Sequence, residues 1–162
     1  MNVDFNQFTE NSRQAITCAH RIARQCSYAS LEPAVLVVAI MQTDRDMVPF
    51  LLEQMNIEKV PFFTALSDAM QQLPHNGSAD GAITFSPATE QVLTTAQRLA
   101  QRSGSQVVAL EHIFWALYEV PGPVKEVMKR FGVTSAKLES AVTTFRNGNI
   151  SNPTAGGASD SG

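Results

Sequence analysis

An internal repeat constrains the fold of this 162-residue chain more than any other feature of its sequence. Residues 8–26 align with residues 85–103 without a gap, and apolar residues in both copies recur at i, i+1, i+4, i+7 and i+8. That spacing marks one face of a helix. Polar positions also match, and the identical polar pairs are Gln14 with Gln91, Thr17 with Thr94 and Arg21 with Arg98. Agreement of polar and apolar positions in one register indicates a duplicated structural unit.

The similarity continues beyond the first helix at a slightly changed offset. Leu31-Glu32-Pro33 aligns with Leu110-Glu111-His112, and residues 52–57 align with residues 128–133. The unit is therefore about 75 to 79 residues long, with repeat one spanning residues 5–73 and repeat two spanning residues 85–146. Turn-forming residues at 73–81 join the two units.

Each unit is predicted to contain four helices. They lie near residues 10–26, 31–42, 46–55 and 59–73 in the first unit, and near 87–103, 109–119, 122–131 and 135–146 in the second. Thr9 and Ser86 are predicted N-caps, Pro87 suits the first helical position, and Gly104 and Gly132 lie where helices should end. No segment alternates convincingly with period two. We therefore predict an all-α fold in which two pseudo-twofold-related four-helix repeats form one eight-helix domain.

Residues 147–162 differ from the rest of the chain. They are mostly small and polar and include four glycines. Such a segment cannot bury enough apolar surface to order itself, so we predict a flexible linker or tail.

Composition argues against several classes of ligand. The net charge is −3, so the chain lacks the large basic surface that drives nucleic-acid binding. The longest apolar run, residues 34–41, is too short to cross a membrane, and the N-terminus does not resemble a signal peptide. Cys18 and Cys26 fall about 12 Å apart along one predicted helix, too far for a disulfide. We expect a cytoplasmic protein with reduced thiols that binds neither nucleic acid nor membrane.

Motifs for catalysis are also missing. No glycine is followed by lysine, which excludes a GxxxxGK[ST] phosphate loop, and the chain has no GxSxG motif. His20, His75 and His112 share no metal-ligand spacing with each other or with a cysteine. Glu111 is predicted to lie in the first turn of a helix, where its negative charge interacts favourably with the positive end of the helix dipole. We prefer this role for Glu111 to a catalytic one. We therefore expect no enzyme activity, no catalytic residue, no metal and no cofactor.

Binding surfaces remain as the alternative to chemistry. Two similar half-domains must pack together, and the seam between them should form a groove of the kind that accepts an apolar stretch of another protein. Most of the large apolar residues of the second unit are expected in the core. The whole set comprises Leu99, Phe114, Trp115, Met128 and Phe131.

The chain resembles the Clp N-terminal repeat family in two motifs and in the duplication itself. One motif is Phe8-Thr9 followed by small residues at Ala15, Ala19 and Ala23, and the other is the segment 110–117, LEHIFWAL. The resemblance covers about residues 5–146. It is greatest to ClpB-type disaggregases, with ClpA-type, ClpC-type and type VI secretion Clp ATPases as alternatives.

The resemblance implies a non-catalytic module that binds unfolded or aggregated polypeptide, or an adaptor protein, and that is joined by a linker to an AAA+ ring. The family's binding positions correspond to Thr9, Ser86, Leu99 and Glu111. Leu99 is expected to line the groove between the units, so a polar substitution there should lower binding without lowering the melting temperature. For Thr9 and Ser86, a capping role competes with binding.

A scaffold that binds one folded partner is the second interpretation. The first unit has Glu32-Pro33 where Glu-His is usual, Ala109 replaces the usual Thr or Ser cap, and Thr95 stands where an apolar residue often lines the groove. These departures suit a specialised protein, for example one that recognises a helix of a secretion-sheath protein.

Overall fold

Eight helices make up nearly all of the structure. The structure is a computed structural model that describes residues 3–75 and 83–150, with the backbone only at 149 and 150. A short 3-10 helix, Phe5–Gln7, precedes α1 (Glu10–Gln25), α2 (Pro33–Thr43), α3 (Met47–Gln54), α4 (Lys59–Gln71), α5 (Pro87–Arg102), α6 (Leu110–Glu119), α7 (Pro123–Arg130) and α8 (Ser135–Ile150). No strand occurs in the described part of the chain, where only two isolated β-bridges are found. The predicted all-α class and the eight predicted helices are confirmed.

The end of the last helix differs from the sequence prediction. Helix α8 is predicted to end at residue 146 and continues to Ile150, so residues 147–150 at the start of the predicted tail are helical. The sequence placed this boundary too early because Asn147 and Gly148 have low helix propensity. Tertiary context overrides that propensity here, and the helix continues past both residues. The remainder of the predicted tail, 151–162, and residues 76–82 of the predicted connection lie outside the described residues.

The core is built around α2 and α6. Every residue of α6 from Leu110 to Leu117 is buried, and α2 is buried on nearly all sides. Helices that are hydrophobic all round belong inside a protein. Helix α1 packs chiefly on α2 and α5 chiefly on α6, while α3 meets α8 and α4 meets α7 across the seam between the repeats. Each repeat therefore covers the apolar surface of the other.

The two repeats also interlock through their backbones. Phe8 of repeat one pairs with Val108 of repeat two, and Leu31 of repeat one pairs with Phe85 of repeat two. The Val108 carbonyl accepts the Thr9 N–H at 3.0 Å, and the Leu31 carbonyl accepts the Ser86 N–H at 3.0 Å. Each contact is the counterpart of the other, as an approximate dyad requires.

This reciprocity corrects the alignment of the second helices. Helix α2 begins at Pro33 and α6 at Leu110, 77 residues later, and the same interval separates Thr9 from Ser86. Glu111 is therefore equivalent to Ala34, not to Glu32. The interval falls to 76 residues at the ends of α2 and α6 and is still 76 at the starts of α3 and α7, so the length change lies in the helices themselves: α2 has 11 residues and α6 has 10. The glutamate at position 111 is a feature of repeat two alone.

Equivalent helix ends share a left-handed residue. Ser27 has φ 56° where repeat two has Gly104 with φ 80°, and Asn56 has φ 59° where repeat two has Gly132 with φ 90°. Gly104 and Gly132 thus end α5 and α7 as predicted, because glycine adopts this conformation without the penalty that a Cβ brings.

Candidate binding clefts

Thr9 and Ser86 begin equivalent relays of hydroxyl groups. The Thr9 hydroxyl accepts the Ser12 N–H at 3.0 Å and donates to the Ser12 hydroxyl, which donates to the Val108 carbonyl at 3.0 Å. In the other repeat Ser86 accepts the Thr89 N–H at 3.1 Å, and the Thr89 hydroxyl donates to the Leu31 carbonyl at 2.8 Å. All four hydroxyl residues are buried. Each relay caps a helix and ties it to the other repeat.

Removing the Thr9 hydroxyl is expected to destabilise the fold. Thr9→Val keeps the shape of the side chain but loses the cap and leaves the Ser12 hydroxyl without its donor, so we expect the free energy of unfolding to fall by about 2 kcal/mol. Thr9→Ser keeps the hydroxyl and should cost less than half as much. Urea denaturation followed by circular dichroism measures both variants. Equal losses for the two would show that the hydroxyl is not what stabilises this helix start.

Glu111 lies in the first turn of α6 as predicted, and it is 1% exposed. Its Oε2 accepts a hydrogen bond from Nη1 of Arg146 on α8 at 2.7 Å. Its Oε1 is buried and has no hydrogen-bond partner within the described residues. Burial raises the pKa of this carboxyl, and the nearby Arg146 charge acts in the opposite direction. The pair joins the start of α6 to the end of α8.

His112, at the third position of α6, accepts the backbone N–H of the N-cap residue Ala109, as the third residue of a capping box does. The Ala109 N–H donates to His112 Nδ1 at 3.0 Å, which places any proton of the neutral ring on Nε2. Nε2 is buried without a hydrogen-bond partner in the described part of the chain. Burial, and to a smaller extent the Arg146 charge, lowers the pKa of His112 to about 3. The ring is therefore neutral at physiological pH.

The four residues predicted to bind do not form an exposed site. Thr9, Ser86 and Glu111 are buried as just described, and Leu99 is 2% exposed on the inner face of α5. A polar side chain at Leu99 would be forced into the core, where an unpaired polar group is costly. Because Leu99 is buried, we now expect a polar substitution there to lower the melting temperature as well. In this conformation, a contribution of these residues to binding can only be indirect, through the position of the helices that they hold.

The large apolar residues of repeat two are mostly internal, as expected. Leu99, Phe114, Trp115 and Met128 are buried, and Phe131 is partly buried. Phe131 packs edge-on against Phe62 across the seam, with the ring centroids 5.6 Å apart.

One opening does lie at the seam. A cleft of about 540 Å³ is bounded by residues 54–56 of repeat one and by Phe131 and four residues of α8, Ala136, Lys137, Ser140 and Ala141, of repeat two. Leu99 is not among the residues that line it. An opening is therefore present at the seam, but polar side chains such as Gln54, Asn56 and Lys137 make up much of its lining. A groove for an apolar segment stays a prediction.

Two further clefts are related by the approximate dyad. The first cleft, about 490 Å³, lies between α1 and the end of α2. The second cleft, about 510 Å³, lies between α5 and the end of α6. Their volumes and bounding helices correspond, and both open to solvent. No sequence signal located them, because the residues at the ends of α2 and α6 come near α1 and α5 only in the folded chain.

No cluster of three or more His, Cys, Asp or Glu side chains suitable for a metal ion occurs within residues 3–75 and 83–148. Across the described helices, none is both long and apolar enough to span a bilayer. Cys18 and Cys26 are both free thiols.

Comparison with known proteins identifies relatives over most of the chain. The family model described as the Clp repeat (R) N-terminal domain matches residues 7–131 and 84–153. Chaperone protein ClpB of Porphyromonas gingivalis is 30% identical over 146 residues, or 90% of this chain and 17% of that protein. ClpB of Propionibacterium freudenreichii is 32% identical over 89% of this chain and 17% of its own length. The chain thus spans about a sixth of the length of these curated relatives.

Solved structures show the same fold. The N-terminal domain of Hsp104 from Candida albicans has a TM-score of 0.74 and 24% identity, covering 86% of this chain and 91% of that one. The N-terminal domain of the ClpV1 ATPase from Escherichia coli has a TM-score of 0.73 and 12% identity, with 88% of each chain covered. The repeated helices, the reciprocal bridges and these matches lead to one conclusion: the chain belongs to the Clp repeat N-terminal domain family.

Proposed function

We propose that this chain is a non-catalytic module that captures unfolded or aggregated polypeptide, or an adaptor protein, for a Clp-type AAA+ chaperone. The observation that carries the proposal is the match to ClpB over 90% of this chain but only 17% of ClpB. In ClpB the matched stretch is therefore one part of a much longer protein. The AAA+ ring is accordingly the proposed partner, joined through residues that follow α8.

The clefts supply the surfaces that this function needs. Open clefts occur in both repeats and at the seam, and their lining residues are mainly polar or short apolar side chains. Such surfaces offer hydrogen bonds and little apolar area to bury, which suits weak, reversible contacts because each hydrogen bond adds little net free energy. Weak capture is appropriate for a module that passes its ligand on, because a tightly held polypeptide would not be released.

Binding to a permanently unfolded protein tests the proposal. Fluorescein-labelled casein should increase in anisotropy when the chain is added at tens to hundreds of micromolar, whereas a labelled native globular protein such as lysozyme should not. No change with casein over this range would contradict polypeptide capture.

A scaffold for one folded partner is the second candidate function, and one observation favours it. Among the described residues, Val60 is the one large apolar side chain that is exposed, at 67%. A surface this poor in exposed apolar groups suits a selective partner, such as a helix of a secretion-sheath protein, better than general capture. Recovery of one stoichiometric protein in a pull-down, together with no affinity for casein, would support the scaffold.

A further inference from the structure

Exposed positions on α1 and α5 have kept the same residues in both repeats. The identical exposed residues are Gln14, Thr17 and Arg21 on α1, and Gln91, Thr94 and Arg98 on α5. They occur at i, i+3 and i+7, so each set forms one stripe along its helix. Buried identities such as Ala19 with Ala96 are explained by packing in the core. Packing does not explain exposed identities, and threonine is not favoured by helix propensity.

Each stripe lines one of the two dyad-related clefts. Gln14, Thr17 and Arg21 face the first cleft together with Gln42 and Thr43 at the end of α2. The equivalent residues of α5 face the second cleft together with Glu119 and Val120 at the end of α6. The retained residues are therefore concentrated where a ligand could bind.

The stripe has a definite recognition chemistry. Arg21 and Arg98 have no carboxylate within 4.0 Å among the described residues, so neither guanidinium is held there in a close ion pair. Arg21 makes only a long contact, 3.5 Å, to the Cys18 sulfur. A guanidinium pairs best with a carboxylate, while glutamine and threonine can hydrogen-bond to peptide groups. An acidic side chain on a polypeptide segment satisfies all three.

The clefts differ in the charges around the retained stripe. The first cleft is lined by Glu10, Arg13 and Arg21, and Glu10 is already paired with Arg13 at 2.8 Å. The second cleft is lined by Glu90 and Glu119 together with Arg98. Their formal charges are therefore about +1 and −1, and the first cleft should hold an acidic segment more tightly.

We propose that the two dyad-related clefts are duplicated binding sites for a polypeptide segment that carries an acidic side chain, with the first cleft the stronger site. The inference deepens the proposed function by naming what part of a polypeptide is recognised and where. It rests on polypeptide binding, and the experiment below separates the failure of one from the failure of the other.

Two labelled peptides test the proposal. Both are fluorescein-labelled 13-residue peptides of Leu, Ala and Ser with amidated C-termini, and they differ only in carrying four Glu or four Gln. Titration with the full chain at low salt should show the Glu peptide binding about tenfold more tightly. Arg21→Gln should remove most of that difference, whereas Arg98→Gln should weaken binding about twofold.

Arg130→Gln is the matched control. Arg130 is exposed and lies outside both clefts, so this variant makes the same charge change and should leave affinity for the Glu peptide within about 1.5-fold. Equal affinity for the two peptides, or equal effects of Arg21→Gln and Arg130→Gln, would overturn the inference. If casein still binds in that case, polypeptide capture stands without acid recognition. If casein does not bind either, the proposed function has failed as well.

Discussion

Arg146→Met is expected to lower the free energy of unfolding by about 3 kcal/mol at pH 7, because it leaves the Glu111 carboxylate buried without its countercharge. Burial already raises the pKa of Glu111, and loss of Arg146 removes an opposing influence and raises it further. The folded state then binds a proton that the unfolded state has released. The penalty should therefore be largest at pH 7 to 8 and shrink as the pH falls through the raised pKa, since a protonated Glu111 needs no cation. Chemical denaturation between pH 5 and 8 measures this dependence.

The double variant Glu111→Gln/Arg146→Met provides the control. It removes both charges, so it should recover much of the stability lost in Arg146→Met and lose the added pH dependence. A penalty for Arg146→Met that is the same at pH 5 and pH 8 would show that Arg146 acts through packing and not through its charge. In that case the link between α6 and α8 would not be electrostatic.

His112→Gln is expected to flatten the acid side of the stability curve. The folded-state pKa of His112, about 3, lies below the ordinary value of 6.5. Between these two pH values, His112 is protonated in the unfolded chain but neutral in the folded chain. Stability is complete above about pH 6.5 and falls with decreasing pH by up to about 1.4 kcal/mol per unit. Glutamine at this position can still accept the Ala109 N–H, as in a capping box, but does not titrate in this range.

The difference in slope between the two proteins is the measured quantity. Urea unfolding from pH 6.5 to 4 should show the natural chain losing about 1 kcal/mol more per pH unit than His112→Gln. His75→Gln, the same substitution at an exposed histidine, is measured alongside as the matched control. Parallel curves for the natural chain and His112→Gln would contradict a neutral, buried His112.

Helix boundaries could be predicted from sequence because their signals are local. Thr9, Ser86 and Pro87 mark helix starts through hydrogen bonds and dihedral angles within one turn, and Gly104 and Gly132 mark helix ends in the same way. The family resemblance indicated the fold as well, since the duplication survives in the spacing of apolar residues.

The alignment of α2 with α6 shows that identical residues in two repeats need not be structurally equivalent. Leu31-Glu32 looks like Leu110-Glu111, yet Leu31 is equivalent to Val108 because each forms the β-bridge that ties its repeat to the other. Position relative to the helix start, which the sequence did not reveal here, decides the equivalence. Leu99 shows the reverse case, since its place on the apolar face of α5 already indicated the burial that the structure shows.

Contacts between distant residues could not be predicted. Glu111 and Arg146 lie 35 residues apart, and no periodicity relates α6 to α8. The first and second clefts depend on the ends of α2 and α6 lying beside α1 and α5, which follows only from the folded arrangement. The exposed matches between Gln14, Thr17, Arg21 and their counterparts were visible in the sequence, but their meaning required knowing that both sets line clefts.

Nuclear magnetic resonance of the ¹⁵N-labelled chain titrated with unlabelled casein tests the central claim most directly. If the chain captures polypeptide through its duplicated clefts, the amide signals of residues 14–21 and 42–43 should shift first, and those of residues 91–98 should follow at higher casein concentration. Signals that stay unchanged throughout, or that shift only at residues away from both clefts, would contradict the account.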